Sequence, residues 1–210
     1  MLAEVDERLP EAFSLLTELV RIPSVGGTDP EHEIQARLAR ELTESGLEVD
    51  HWRIPLDELL AEPDFPGVEV ERDEAWGLVG RVPGSGGGGS LMLNAHVDVV
   101  PIGNPAAWSR PDAFSGQVVG DTLFGRGACD MKAGLVASLA AVLAVRRLGV
   151  PLRGVRRHLG SREGARRVLE GALVVVQLEV HGRYFRLIVV LTPVETSSSN
   201  QRAVTVLVCV

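Results

Sequence analysis

Near its middle the chain reads Leu91-Met-Leu-Asn-Ala-His-Val-Asp-Val-Val-Pro101. Residues 91–95 are almost continuously apolar, which predicts a strand that is buried on both faces. His96 and Asp98 follow this strand directly. In open α/β sheets, ligands bind at the carboxyl ends of the strands. Because imidazole nitrogen and carboxylate oxygen are both good zinc ligands, the stretch predicts a metal site at the end of a buried strand.

A second carboxylate follows in the stretch Gly125-Arg-Gly-Ala-Cys-Asp-Met-Lys132. The glycines allow a sharp turn, and the apolar stretch 131–148 predicts a helix after it. Asp130 therefore has two interpretations: a residue that caps this helix, whose first amides favour a negative charge, or a metal ligand. A lone histidine is usually structural, but the combination of His96, Asp98 and Asp130 favours the ligand interpretation.

These stretches resemble the zinc-dependent amidohydrolases that include acetylornithine deacetylase, succinyl-diaminopimelate desuccinylase, aminoacylase and glutamate carboxypeptidase. The matching motifs are, in chain order, His96-Val-Asp98-Val-Val-Pro101, Trp108 and Pro111, Gly116 and Asp121, and Leu123-Phe-Gly-Arg-Gly-Ala-Cys-Asp-Met-Lys132. Each motif alone is weak, and their common order makes the resemblance specific. It runs from about the N-terminus to about Gly154. We therefore expect residues 1–154 to form the N-terminal half of a catalytic domain, with residues 155–210 as an atypical tail.

The resemblance implies a site with two zinc ions, for which cobalt can substitute. His96 would ligate one ion, Asp130 would bridge both, and Asp98 would orient His96 as part of the catalytic group. The substrate would be a small N-acyl amino acid or peptide, which is cleaved at an amide bond. The family's catalytic Glu-Glu pair is missing, because only the single Glu163 occurs near the expected place. His158 and His181 lack a surrounding family motif.

The missing residues predict weak metal binding and little or no hydrolysis, as from a truncated family member. The alternative is a non-catalytic remnant or interaction protein that retains part of a metal site. A Rossmann-like nucleotide binder is disfavoured, because the glycine-rich stretch 84–90 is followed by a predicted strand rather than a helix. The expected fold is α/β, with a mostly parallel sheet flanked by helices. The family is often dimeric, but its dimerisation domain has no counterpart in this sequence.

The charge of the chain changes abruptly along its length. Residues 1–150 hold 12 Lys and Arg against 24 Asp and Glu, whereas residues 151–210 hold 9 Arg, 4 Glu and neither Lys nor Asp. This inversion, together with the loss of family motifs, favours the hypothesis that the tail is out of frame. A genuine C-terminal β module is the alternative. The apolar run 204–210 would then make a poor exposed edge.

Length and composition limit the remaining classes of fold, partner and cellular location. A chain of 210 residues predicts one domain, or one domain with a tail. The net charge of −7 argues against nucleic acid as a partner. Two cysteines suit a reducing compartment, and the acidic N-terminus lacks a signal peptide's features. We therefore expect a cytoplasmic protein with no membrane partner.

His51, on a predicted strand of alternating polarity, is interpreted as a solvent-face residue.

Overall fold

The computed structural model describes residues 2–61, 63, 65, 68, 70–85, 89–153, 172–180, 183–191 and 201–209. His158, Glu163 and His181 lie outside the described residues. The helices are α1 Leu2–Arg21, α2 Asp29–Glu44, α3 Leu56–Leu60 and α4 Ala133–Arg147. The strands are β1 Glu48–Ile54, β2 Ala75–Val82, β3 Gly89–His96, β4 Gln117–Val119, β5 Thr122–Phe124, β6 Ala172–Val180, β7 Arg183–Leu191 and β8 Gln201–Cys209.

The main sheet has the strand order β1-β2-β8-β3. The α/β fold is confirmed, but the direction of the described strands is mixed rather than mostly parallel. The β1/β2 and β2/β8 pairs are antiparallel, and only the β3/β8 pair is parallel. A parallel pair needs a long crossover, usually a helix, and in the described part of the connection from β1 to β2 the one helix is the five-residue α3. The alternation of side chains did not reveal the strand direction, because parallel and antiparallel strands have the same side-chain period.

The last strand lies inside this sheet. Strand β8 pairs with β2 on one side and with β3 on the other, so residues 201–209 are not an exposed edge. Strands β6 and β7 form a separate antiparallel hairpin. Strands β4 and β5 form a short hairpin around Gly120 and Asp121, a dipeptide suited to a tight turn.

One hydrophobic core joins the three long helices to the sheet. The apolar positions of α1 and α2 recur at helical spacing, and the most buried of them are Leu19, Val20, Ile34 and Leu38. Helix α4 contributes Leu135, Val136, Leu139 and Val142 to the same core. By length and hydropathy the segment Ala128–Arg147 could cross a membrane, with a mean hydropathy of 1.7. Its buried apolar residues belong to this core, and 39% of the segment is buried.

His51 does not lie on a solvent face. It is opposite Leu78 in the β1/β2 pair, and opposite residues project from the same face of a sheet. Leu78 is completely buried. The His51 ring lies 4.9 Å from the Trp76 ring, and burial lowers the pKa of His51. The prediction was wrong because both faces of β1 are partly covered, so the alternation did not identify the exposed one.

Candidate metal centre

The segment that follows β3 is held by the segment that follows α1. Ser24 Oγ donates to the Val97 carbonyl at 2.7 Å, and the Val99 amide donates to the Ser24 carbonyl at 2.8 Å. Val25 and Val99 form a parallel bridge beside them. Val97 is completely buried and Val99 nearly so. Because successive side chains of an extended segment project from opposite sides, the Asp98 side chain between them points away from this buried side. The end of β3 therefore has a fixed backbone on which His96 and Asp98 project.

His96 lies between two carboxylates. Its Nδ1 is 3.0 Å from Asp98 Oδ1, and its Nε2 is 3.2 Å from Asp130 Oδ1. The hydrogen bond to Asp98 is the main reason why the pKa of His96 is raised to about 9, and the bond to Asp130 adds to it. The same hydrogen bond lowers the pKa of Asp98. The three residues selected from the sequence are thus brought together.

A tight turn before α4 carries Asp130. The Lys132 amide donates to the Gly127 carbonyl at 3.0 Å, and Gly127 has a φ of 79°. Asp130 itself has φ −119° and ψ 102°, outside the helical region. Helix α4 begins at Ala133, with Lys132 as its cap residue. The helix-cap interpretation of Asp130 is therefore wrong, because Asp130 lies before the start of α4. Its carboxylate lies 3.2 Å from His96 Nε2, and its side chain is 88% exposed.

The spacing of the two donors fits one metal ion. Zinc holds nitrogen and oxygen ligands at about 2.0 to 2.2 Å in a tetrahedral arrangement, so two ligand atoms on one ion lie about 3.4 Å apart. The Nε2 and Oδ1 atoms are 3.2 Å apart. Because Asp98 contacts Nδ1, the nitrogen that faces Asp130 is Nε2. A carboxylate on the second ring nitrogen commonly orients a metal-binding histidine in this way.

The donor set is incomplete within the described part of the chain. No group of three or more His, Cys, Asp or Glu residues there could hold a metal ion. A catalytic zinc site normally has three protein ligands and a water. His96 and Asp130 would supply two of those three.

Sequence reasoning missed a buried ion pair beside the site. Glu31 is completely buried, accepts a hydrogen bond from the Gly27 amide at 2.6 Å, and contacts Arg72 at 2.9 Å. A Cβ added at Gly26 would lie 3.8 Å from the Arg72 guanidinium and 3.9 Å from Asp98 Oδ2. Arg72 thus lies near Asp98 and contributes to the lowering of the pKa of Asp98. Its role had no local signal, because 41 residues separate it from Glu31.

Two further motif residues stabilise the loop between β3 and the Asp130 turn. The Trp108 indole donates to the Ile102 carbonyl at 2.8 Å. The Arg126 guanidinium lies 5.0 Å from the centre of the Trp108 ring, within the range of a cation–π contact. Arg126 also donates through its backbone to the Ala113 carbonyl at 2.7 Å. These contacts join the start of the loop to its end, so the spaced motifs meet in the structure.

The substitution Gly127→Ala should destabilise the protein by about 2 to 4 kcal/mol, from a left-handed backbone and a steric conflict. An added Cβ would lie 2.5 Å from Val99 Cγ1. Gly103→Ala is the matched control, because Gly103 also has positive φ but nothing lies within 4 Å of its Cβ position. Urea unfolding of both variants measures the difference. Equal losses of unfolding free energy in Gly127→Ala and Gly103→Ala would contradict the steric conflict at Gly127.

In the metal-free protein, the His96 imidazole should titrate near pH 9, because its charged form is bound by Asp98 and Asp130. The folded pKa is above the ordinary value, so this stabilisation is complete below about pH 6.5 and is lost as the pH rises through 9. Nuclear magnetic resonance of the ring protons measures it. Asp98→Asn should lower the pKa toward 6.5, and an unchanged value would contradict the assignment to Asp98.

The sequence model of Peptidase family M20/M25/M40 matches residues 92–204, which is more than half of the chain. The chain belongs to this family. The resemblance inferred from the motifs is thereby confirmed. The family match continues past Gly154, where we expected the resemblance to stop, and it includes much of the tail.

Curated relatives of this M20/M25/M40 chain include bacterial desuccinylases. The succinyl-diaminopimelate desuccinylase of Cereibacter sphaeroides is 35% identical over 133 residues, which are 63% of this chain and 30% of the relative. That of a Methylobacterium species is 38% identical over 135 residues, 64% of this chain and 30% of the relative. The chain therefore spans about a third of the length of these relatives.

Solved structures of the M20 type share the fold. Human carnosine dipeptidase 1 has a TM-score of 0.55 and 23% identity, over 70% of this chain and 31% of that one. The M20 family metallo-carboxypeptidase Sso-CP2 of Sulfolobus solfataricus has a TM-score of 0.56 and 15% identity, over 94% of this chain and 30% of that one. At these identities the likeness concerns the fold alone.

Proposed function

We propose that this chain contributes His96, Asp98 and Asp130 to a zinc centre that hydrolyses the amide bond of small N-acyl amino acids or peptides. The observation that carries the proposal is the 3.2 Å separation of His96 Nε2 and Asp130 Oδ1, with Asp98 on the other ring nitrogen. The names of the desuccinylase relatives support an N-acyl amino acid as the substrate class.

In this proposal His96 would hold one of two metal ions through Nε2, and Asp130 would be shared between both ions. When bound, zinc lowers the pKa of a water molecule and polarises the amide carbonyl. Asp98 keeps a proton on Nδ1, so that Nε2 presents its lone pair to the ion. The buried segments around Val97 and Val99 hold these groups in register. The Asp130 side chain is 88% exposed, so solvent reaches this part of the site.

Metal binding by these 210 residues alone is weak and hydrolysis is slight, because His96 and Asp130 are only part of a ligand set. A Glu-Glu pair, which would move the proton and complete one metal's shell, is absent from the sequence after Asp130. A second candidate is a non-catalytic remnant with an interaction role. It is favoured by the lack of any three-residue donor group among the described residues.

The deciding experiment is the metal content of the purified chain, measured with hydrolysis of N-acetyl and N-succinyl amino acids with and without zinc or cobalt. We expect less than two metals per chain at micromolar metal and turnover close to background. Two tightly bound metals with turnover would show that the tail supplies ligands, and Glu163, His158 and His181 would be substituted next. No metal binding at millimolar zinc or cobalt favours the remnant.

The cytoplasmic location and the out-of-frame tail also stay proposals. The extension of the family match to residue 204 and the place of β8 inside the sheet count against a shifted frame. Translation of the coding DNA in its other frames tests the idea directly. A frame that restores a Glu-Glu pair after Asp130 would support it, and the lack of one in every frame would end it.

A further inference from the structure

A lysine with no solvent exposure lies directly behind the candidate metal centre. Lys132 is 0% exposed, although lysine is almost never completely buried without a partner. Its ammonium donates to the carbonyls of Leu19 and Ile22, both at 2.9 Å. Leu19 lies in the last turn of α1 and Ile22 follows the helix directly, where the helix dipole favours a cation. Each carbonyl also accepts from a backbone amide, Leu19 from Ile22 at 3.3 Å and Ile22 from Ser24 at 2.9 Å.

The same lysine also closes the turn that carries Asp130. Its backbone amide donates to the Gly127 carbonyl at 3.0 Å. Its side-chain stem packs on Gly127, where an added Cβ would lie 3.3 Å from Cδ and Cε. Asp130 lies inside the loop that this contact closes, so a displacement of Lys132 would displace the carboxylate two residues before it.

The end of α1 leads directly to the backbone that holds His96. Ile22 is followed by Pro23 and Ser24, and Ser24 is bonded on both sides to the segment around Asp98. Lys132 therefore connects two structures that carry opposite halves of the site. One is the Asp130 turn, and the other is the α1 end with the segment 97–99 that it supports.

We propose that Lys132 is a positioning residue, whose buried ammonium fixes the Asp130 turn to the end of α1 and so sets the distance between Asp130 and His96. The proposal deepens the metal site of the proposed function and rests on it for its consequence in metal affinity. Its geometric part, the placement of Asp130 against the His96 ring, exists in the metal-free protein and is tested there.

The principal variant is Lys132→Met, which keeps an unbranched side chain of similar length and removes the ammonium. The matched control is Arg147→Met at the other end of α4, where the same charge is removed from a guanidinium that is 58% exposed. A circular dichroism spectrum and a cooperative melt establish that each variant folds.

The first measurement is the chemical shift of His96 Nε2 in the metal-free chain, from a long-range proton–nitrogen spectrum at a fixed pH. We expect Lys132→Met to move this shift toward its value in Asp130→Asn, and the double variant to equal Asp130→Asn. Arg147→Met should leave it at the wild-type value. The proposal would be overturned if folded Lys132→Met kept the wild-type His96 shift. It would also be overturned if Lys132→Met changed this shift by the same amount in the wild-type and Asp130→Asn backgrounds.

The second measurement is cobalt affinity by titration of its visible absorption. Loss of support for one ligand should weaken binding by about 10-fold or more in Lys132→Met, with no loss in Arg147→Met. Equal affinity in Lys132→Met and wild type would overturn the link to metal binding. Lack of cobalt binding by the wild type would instead refute the proposed function, while the His96 shift still decides the role of Lys132.

A third measurement needs no variant and covers a Lys132→Met protein that does not fold. Native-state hydrogen exchange of the wild type compares the Lys132 amide with the amides in the last turn of α1. A shared anchor predicts that they open together, with protection factors of the same order. Exchange of the Lys132 amide at the rate of an unfolded peptide, beside a protected α1, would overturn the proposal.

Discussion

Replacement of His96 by alanine should weaken zinc or cobalt binding by at least about 100-fold, equivalent to about 2.7 kcal/mol. The reason is that Nε2 and Asp130 Oδ1 are the two donors that converge, so the substitution removes half of the described donor set. The Asp98 carboxylate would also lose the group that it contacts at 3.0 Å. Isothermal titration of the metal-free chain measures the effect.

His32→Ala is the matched control for this measurement. His32 is also paired with a carboxylate, at 3.1 Å from Glu74, but it lies on α2 and contributes nothing to the site. Asp98→Asn should give an intermediate loss of about 10-fold to 100-fold, because Asp98 acts through His96. Equal affinities for His96→Ala and His32→Ala would refute the assignment of His96 as a ligand.

The substitution Glu31→Ala should destabilise the protein by about 3 to 5 kcal/mol, the cost of removing one partner of a buried ion pair. Glu31 is completely buried, and its loss would leave Arg72 without its 2.9 Å partner. The Gly27 amide would lose its 2.6 Å acceptor as well. Chemical denaturation followed by circular dichroism measures the free energy of unfolding.

Glu33→Ala is the control, because Glu33 lies two residues away on the same helix and is exposed. An exposed substitution of this kind should change the free energy of unfolding by about 0.5 kcal/mol or less. Similar values for the two variants would contradict the importance of the buried pair. Glu31→Gln is a useful third variant, since it keeps an acceptor for Gly27 while it removes the charge that Arg72 requires.

The site residues were accessible from the sequence because each lies at a boundary with a strong local signal. His96 and Asp98 follow an apolar strand, and Asp130 follows a glycine turn before an apolar helix. The spaced motifs identified the family, which the match over residues 92–204 confirms. The individual roles of the three residues stay predictions, since they depend on metal binding that the proposed titrations measure.

Other features depend on contacts between distant segments, and no local pattern reports these. The antiparallel β1/β2 pair, the half-buried His51 and the central place of β8 all follow from which strands meet. The Glu31–Arg72 pair and the Lys132 contacts join residues that are 41 and 110 or more positions apart. Such groups look like ordinary surface charges in a sequence, because burial depends on what packs above them.

The sequence alone determined the α/β class, the helix and strand positions around the site, and the candidates His96, Asp98 and Asp130. These rest on periodicity, glycine turns and donor chemistry, which act over a few residues. Only the tertiary structure decided that Asp130 faces His96 rather than capping α4, and that a buried lysine joins its turn to α1. Those outcomes depend on distances between elements, and such distances are set by packing of the whole core.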